Sequence, residues 1–378
     1  MKIVVGVIGY NITRMLIRSL VSLPYLFPNL GCDIRLKTIC GRNEETLANI
    51  AVPWHFEKTT SEWRELIEDP EINLIVNGAP NYLHAEPCIS AIEVGKHVFC
   101  EKPMASTLQE SKQMAKAARN SRSKAMMGFN YRFVPAIILA KKIISEGKLG
   151  NVYHSRFQYC DEAYVGSSVP FCWRMDKNLS GRGILGDLGS HAVDLARFLV
   201  ADPVSISGFT KIFVQERIDP VSNKTREVTA PDAILAILQY SGGSVGTLEA
   251  SSFRTGRKNY AAFEINAEKG AVMWNLERVN ELCVYLDDDR RKGIAGFSRV
   301  NVGVDHPSLV RWSQDYPVGV DYSYILEMLH LVKAIKDDAP VTPGGADFED
   351  GLKCEIISES IEESSNNLCK HTGISYST

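Results

Sequence analysis

Two stretches hold residues whose types and spacing could carry chemistry. FCEKPMA (99–105) ends an apolar run on Glu101, Lys102 and Pro103, and SGRGILGDLGSHAVDLARFL (180–199) sets Asp187, His191 and Asp194 four and three positions apart. On a helix those three share a face. An imidazole can take the proton of a hydroxyl, because a small shift brings histidine to working pH. Lys102 would supply positive charge where an alkoxide develops. Two nearby cationic groups also disfavour each other's protonation, which keeps His191 neutral as acceptor. Asp187 would orient that imidazole or grip a substrate hydroxyl. The plainer alternatives are a surface lysine, Asp187 as a helix N-cap and a structural histidine. An Asp/His pair can also ligate metal, but no cysteine or glutamate stands nearby to complete the set, so none is expected. Asp194 reads as a structural partner on the helix face.

Such groups need elements that present them together. In the first third of the chain, short apolar runs alternate with amphipathic segments: KIVVGVIG, then a helix around 12–22; DIRLKTIC (33–40), then a helix from Glu44. INLIVNGA (72–79), a helix around 83–94, HVFCEK (97–102) and a helix around 107–120 continue the pattern. Alternation of this kind implies βα units, right-handed crossovers and a doubly wound parallel sheet. Ligands of such sheets lie outside the carboxyl ends of the strands. Lys102 stands at one such end, and Pro103 keeps it extended rather than helical.

The first strand leads into VIGYNITRML (7–16), where a dinucleotide fold places G-x-G-x-x-G. Gly9 fills the first place, while Asn11 and Arg14 stand in the second and third. Gly9 can make the tight turn, Asn11 tolerates a left-handed backbone, and Arg14 could point outward or toward a phosphate. The helix N-terminus would offer N–H groups to an anion. Gly9, Tyr10, Asn11, Ile12 and Thr13 are therefore the candidate cofactor turn, with a bare strand-to-helix connection as the alternative. Cys40 and Gly41 take the place of the acid that usually meets the NAD ribose, and Arg42 follows, which tilts the choice between NAD and NADP toward NADP. Arg42 as a solvated surface charge, or stacked on adenine, remains open. Pro80, Asn81 and His84 end the strand beside that of Lys102 and are further cofactor candidates.

Beyond residue 125 the texture changes. After KAMMGF and a helix at 135–146 come NVYHSRFQYC, AILAILQYSGG, SVGTLEASSF, GAVMWNL and ELCVYL, joined by Gly/Ser turns. That pattern predicts an antiparallel sheet with one exposed face. Helices are expected at 187–200, 323–337 and 347–366. The division predicted is 1–124 for a Rossmann-like domain and 125–378 for a substrate-binding and oligomerisation α+β domain with a large, mostly antiparallel open sheet, with a cleft between them. Asn130, Tyr131 and Arg132 would face that cleft, Asn130 toward cofactor and the other two toward substrate or an interface. Only one of Gln158 and Tyr159 can face it from one strand, and Gln158 is taken as the substrate contact. Tyr324 is a weaker candidate for stacking on a sugar.

The 378 residues are 45% hydrophobic and 23% charged with a formal net charge of −3, a soluble globular composition that argues against nucleic-acid or membrane-surface partners. No apolar run approaches the roughly 20 residues of a membrane span, and no signal peptide is recognised. Nine cysteines, never spaced C-x-x-C, fit reduced thiols and a cytoplasmic location.

EKP at 101–103 and G-x-x-x-D-x-G-x-H-x-x-D, read here as Gly183, Asp187, Gly189, His191 and Asp194, together closely resemble the Gfo/Idh/MocA family of pyridine-nucleotide oxidoreductases. The resemblance extends through the closing DFEDGLKCEIISESIEESS. MGFNYRFVPA and FCWRMDKNLSGRGILGDLGSH look most like the levoglucosan-dehydrogenase-like and related sugar-oxidising members. The resemblance implies hydride transfer between NAD or NADP and a ring carbinol of a sugar or sugar derivative, C3 among the candidates. It also implies that Trp173 and Arg174 close over cofactor or substrate, and that dimers or tetramers form through the open sheet. An NAD-dependent glycosidase of the same family and a non-catalytic dinucleotide- or sugar-binding regulator are the competing readings.

Overall fold

Strand β1 (Lys2–Ile8) is buried from Ile3 onward, so both faces of KIVVGVI are covered, as a central parallel strand requires. The structure is a computed structural model that describes residues 1–303, 305–306 and 317–376. Around β1 lie β2 (Asp33–Cys40), β3 (Lys58–Thr60), β4 (Leu74–Asn77), β5 (His97–Glu101) and β6 (Ala125–Gly128), in the order β3-β2-β1-β4-β5-β6. All these neighbours pair in parallel. A short strand, Ala346–Asp347, adds antiparallel to the outer edge of β6. The order reverses between β1 and β4, and the carboxyl ends of the strands at such a reversal form the dinucleotide crevice of a doubly wound sheet.

Helices α1 (Thr13–Leu26), α2 (Glu44–Ala51), α3 (Arg64–Glu68), α4 (Ala85–Glu93) and α5 (Leu108–Arg119) fill the crossovers. Asn43 caps α2 by accepting from Thr46 N–H at 2.8 Å, and Thr107 with Glu110 forms a capping box on α5. These polar residues fix where each helix starts, and hence how long each strand end projects.

The chain divides into two units, 1–133 with 321–352, and 134–320 with 353–378. This differs from a split after residue 124. The expected boundary lies before β6, whose Val98↔Ala125 through Glu101↔Gly128 register makes it part of the parallel sheet. The helix Asp321–Lys336 belongs to the first unit as well: Lys336 donates to Leu30 O at 2.6 Å, and Arg18 pairs with Asp321 at 3.5 Å.

The second unit is built on a nine-stranded sheet. Its strands run Ser298–Asn301, Glu281–Leu286, Gly270–Asn275, Tyr260–Ala267, Val152–Cys160, Val245–Ser251, Ala233–Tyr240, Pro203–Lys211 and Thr372–Gly373. All pairs are antiparallel except 152–160 with 245–251. The helix Ser190–Leu199 packs on one face. Alternation in Ala233–Tyr240 buries Ile234, Ala236, Leu238 and Tyr240 and leaves Leu235 and Ile237 exposed on the other.

Candidate active site

In the first unit the candidate residues gather at the carboxyl ends of β1, β2, β4 and β5. Gly9 has φ +88°, and a Cβ there would stand 2.6 Å from Gly78 O, so only glycine makes this turn. Its N–H donates to Cys40 O at 3.0 Å, and its carbonyl accepts from Thr13 Oγ1 at 2.8 Å. Asn11 is exposed and is not among the left-handed residues, so it does not take the backbone role of a second glycine. Arg14 turns back, Nε donating to Tyr10 O at 3.2 Å. The α1 N-terminus carries no acidic residue and no side-chain cap, which suits an anion.

The Tyr10 ring lies where a Gly41 side chain would be, 2.5 Å from an added Cβ, and so joins this turn to the end of β2. Burial pushes the Cys40 thiol up to about 12, so a neutral thiol ends the strand. Arg42 beside it is exposed.

His84 proves to be a brace. Its ring nitrogens lie 2.9 Å from Pro103 O and 2.9 Å from Ala79 O, tying the chain after β5 to the chain after β4. Burial lowers its proton affinity despite those carbonyls. The neutral ring carries one N–H and donates to one of these two carbonyls at a time. Asn81 is buried in the turn Asn81–Leu83, and Pro80 precedes it. The buried Glu101 carboxylate accepts from Lys102 N–H at 3.2 Å and lies over Gly128, where an added Cβ would meet it at 3.0 Å. Lys102 is half-buried, and its bond to Pro103 is cis.

Two residues expected at substrate or cofactor also brace the scaffold. Arg132, buried, donates to Gly345 O at 3.0 Å and pairs with Asp350 at 3.0 Å. Asn130 donates to Ser323 Oγ at 2.9 Å. Tyr131 is buried beside them, and Tyr324 is half-buried on the helix Asp321–Lys336.

In the second unit Gly183 (φ +51°) has backbone pressed against it, an added Cβ falling 2.8 Å from Pro231 O. Arg182 anchors the same stretch: buried, it pairs with Glu355 at 2.7 Å and also with Glu359 and Glu362. Burial alone would lower its proton affinity, and the three carboxylates outweigh that and raise it. Asp187 then sits in a π-helical turn, Leu185–Gly189, that runs into the helix Ser190–Leu199, rather than in regular α-helix. Such wide turns re-aim side chains and are frequent at functional sites.

Arg174 Nε lies 3.2 Å from Asp187 Oδ2, and its guanidinium stacks on Trp173 at 4.6 Å. His191 is buried, its ring 5.6 Å from that of Tyr159. Gln158 is on the opposite face of the strand and donates to Glu249 at 3.1 Å, so of the two neighbours it is Tyr159 that accompanies His191. Asp161, at the strand's end, was not anticipated. Burial first, and the Asp187 charge among lesser causes, raise its proton affinity. An acid after an aromatic-rich strand gives no sequence signal of its own. Asp194 is buried on the helix. Among the described residues no three His, Cys, Asp or Glu side chains converge on a metal position.

A Gly-made turn and an open helix N-terminus at a strand-order reversal, with an acid, imidazole and guanidinium set in the other unit, define a nucleotide-dependent oxidoreductase architecture. Residues 3–129 match the oxidoreductase family with NAD-binding Rossmann fold, and residues 137–273 match the Gfo/Idh/MocA C-terminal domain. The chain belongs to the Gfo/Idh/MocA family and is an NAD-binding oxidoreductase. It is 34% identical over 356 residues to levoglucosan dehydrogenase of Pseudarthrobacter phenanthrenivorans, covering 90% of each chain. Among solved structures it resembles levoglucosan dehydrogenase in complex with NADH and levoglucosan, with TM-score 0.93 and 33% identity over 99% of this chain and 100% of that one. An oxidoreductase domain protein from Kribbella flavida gives TM-score 0.94 and 34% identity over 99% and 100%. No helix among the described residues is long and apolar enough to cross a membrane.

Proposed function

We propose that this enzyme oxidises a ring carbinol of a sugar or sugar derivative, and levoglucosan is the first substrate to try. The observation that carries the reading is the grouping of Arg174 with Asp187 at 3.2 Å and of Tyr159 with His191 at 5.6 Å around one π-helical turn. It offers a carboxylate, a guanidinium and an aromatic surface to hydroxyls, beside an imidazole that can accept a proton. Nicotinamide, when bound, supplies the hydride acceptor, and Gly9, Tyr10, Ile12, Gly41, Pro80 and Asn81 are the residues that would hold the nucleotide.

His191 takes the hydroxyl proton, Lys102 provides positive charge where the alkoxide develops, and Asp187 grips a neighbouring hydroxyl. Arg42 is the residue that would admit NADP alongside NAD. The exposed face of the large sheet, with Phe209, Leu235 and Ile237 46%, 54% and 60% exposed, is the surface for a second copy of the chain.

Lys102→Ala and His191→Ala are each expected to lower turnover by about two orders of magnitude or more, with NADH binding kept. Near-normal turnover in either variant overturns the assignment.

A further inference from the structure

Among the described residues, the strands Glu216–Ile218 and Thr225–Glu227 pair only with each other, outside both large sheets. A two-stranded hairpin has little stability of its own, so its inward-facing side chain is informative. That side chain is Arg217, 2% exposed. Its guanidinium donates to three carbonyls of one loop: Nη2 to Tyr164 O at 2.7 Å, and Nη1 to Gly166 O at 2.8 Å and Val169 O at 2.9 Å. A buried cation is costly unless its donors are met. The two Nη atoms of one planar fork meet these three carbonyls, spread over residues 164–169, in a fixed geometry.

The same hairpin holds the loop at its far end. Phe171 N–H donates to Ile218 O at 2.8 Å, and Arg226 stacks on the Phe171 ring at 4.1 Å while pairing with Asp176 at 2.9 Å. Phe171, Met175 and Val228 close a small apolar cluster under it, with Tyr164, Val169 and Cys172 packed against them. The segment so fixed carries Trp173 and Arg174, and Arg174, stacked on Trp173, meets Asp187.

We propose that Arg217 is a positioning residue for the substrate face: it holds loop 161–176 in the shape that brings Arg174 to Asp187, and thereby sets affinity for the hydroxylated substrate. This rests on the reading of Asp187 and His191 as the substrate face. Arg217 touches no reacting group, and the route assigned to its effect is through Arg174.

The test uses the full-length enzyme, NAD, and the ring sugar of highest turnover in a panel that includes levoglucosan. Arg217→Met is expected to raise KM for the sugar about tenfold, with kcat within about threefold, as for lost charge-assisted hydrogen bonds acting at a distance. KM for NAD should not change. Arg217→Lys, which can still reach part of the carbonyl set, should give an intermediate KM. In the double variant with Arg174→Ala, the combined loss should be smaller than the product of the two single effects, since both act on one contact.

Unchanged sugar KM in folded Arg217→Met, or losses that multiply with Arg174→Ala, would overturn the inference. Should Arg217→Met fail to fold, a folded Arg217→Lys with unchanged sugar KM overturns it equally. Asp187→Asn separates the two levels. Normal turnover there removes the substrate-face reading itself, whereas impaired turnover with an innocuous Arg217→Met removes only the role of Arg217.

Discussion

Tyr159 and His191 face each other with ring centroids 5.6 Å apart and planes tilted by 49°, while Gln158, the preceding residue, is bound to Glu249 on the other side of the sheet. The two strand neighbours therefore make opposite predictions. Tyr159→Leu removes the aromatic wall that orients the imidazole and should lower kcat about tenfold, a modest share of a general base's contribution. Gln158→Ala should leave kcat and sugar KM within about twofold, as for a substitution outside the reacting set. Steady-state kinetics on both variants checks this, and the reverse ranking would move the substrate to the wrong face of the strand.

Arg42 is the residue to test for how the nucleotide is read at the end of β2. The buried, neutral Cys40 thiol and Gly41 provide no carboxylate to take a ribose hydroxyl or to repel a 2′-phosphate, and Arg42 is exposed alongside. A guanidinium can pair bidentately with phosphate. Arg42→Ala is expected to raise KM for NADP about tenfold or more while KM for NAD changes little, a loss appropriate to one charged pair. Equal effects on the two cofactors would make Arg42 an adenine-stacking residue instead.

The open face of the large sheet predicts association. Leu235 and Ile237 project from an interior strand on the side away from the helix Ser190–Leu199. Ile237→Glu would bury an unpaired carboxylate in a contact made through that face. Sedimentation at micromolar protein should show an oligomer for the natural chain and a smaller species for Ile237→Glu, with secondary structure unchanged. A natural chain that sediments as monomer leaves that face for some other partner.

The parallel sheet was legible because strands buried on both faces are unbroken apolar runs, as residues 3–8 and 74–76 are. EKP and the glycine-rich segment were legible because Gly183 and the strand-end lysine answer to local geometry. What the sequence hid was long-range pairing. Nothing near Arg132 announces Asp350, and nothing near Asn130 announces Ser323, so the bracing by these two buried residues could not be read. His84 looked like a ligand for the same reason, its partners Ala79 and Pro103 being backbone atoms that carry no side-chain signature. The i, i+4 argument for Asp187 and His191 assumed an α-helix, and the π-helical turn could not be read from glycine spacing.

Acid stability is the last expectation, and it concerns the first unit. Burial lowers the proton affinity of His84, His97 and His330, all of which belong to that unit. Below a pH of about 6.5 the unfolded chain protonates these imidazoles. The folded unit does not follow until the pH reaches each lowered value, so over that interval the unfolded state binds more protons and folding weakens as the pH falls. The slope is up to about 1.4 kcal/mol per pH unit for each such histidine. The melting temperature should therefore drop between pH 7.5 and 5.5, above the range in which ordinary carboxylates titrate. His330→Gln isolates one share of the effect. The glutamine amide can still donate to Val341 O, which His330 Nε2 meets at 2.6 Å, and it does not titrate. The variant should be less stable at pH 7.5, having lost ring packing against Phe133, but its melting temperature should depend less steeply on pH. If the two proteins show the same slope over that interval, His330 takes up its proton equally in both states and burial does not govern it.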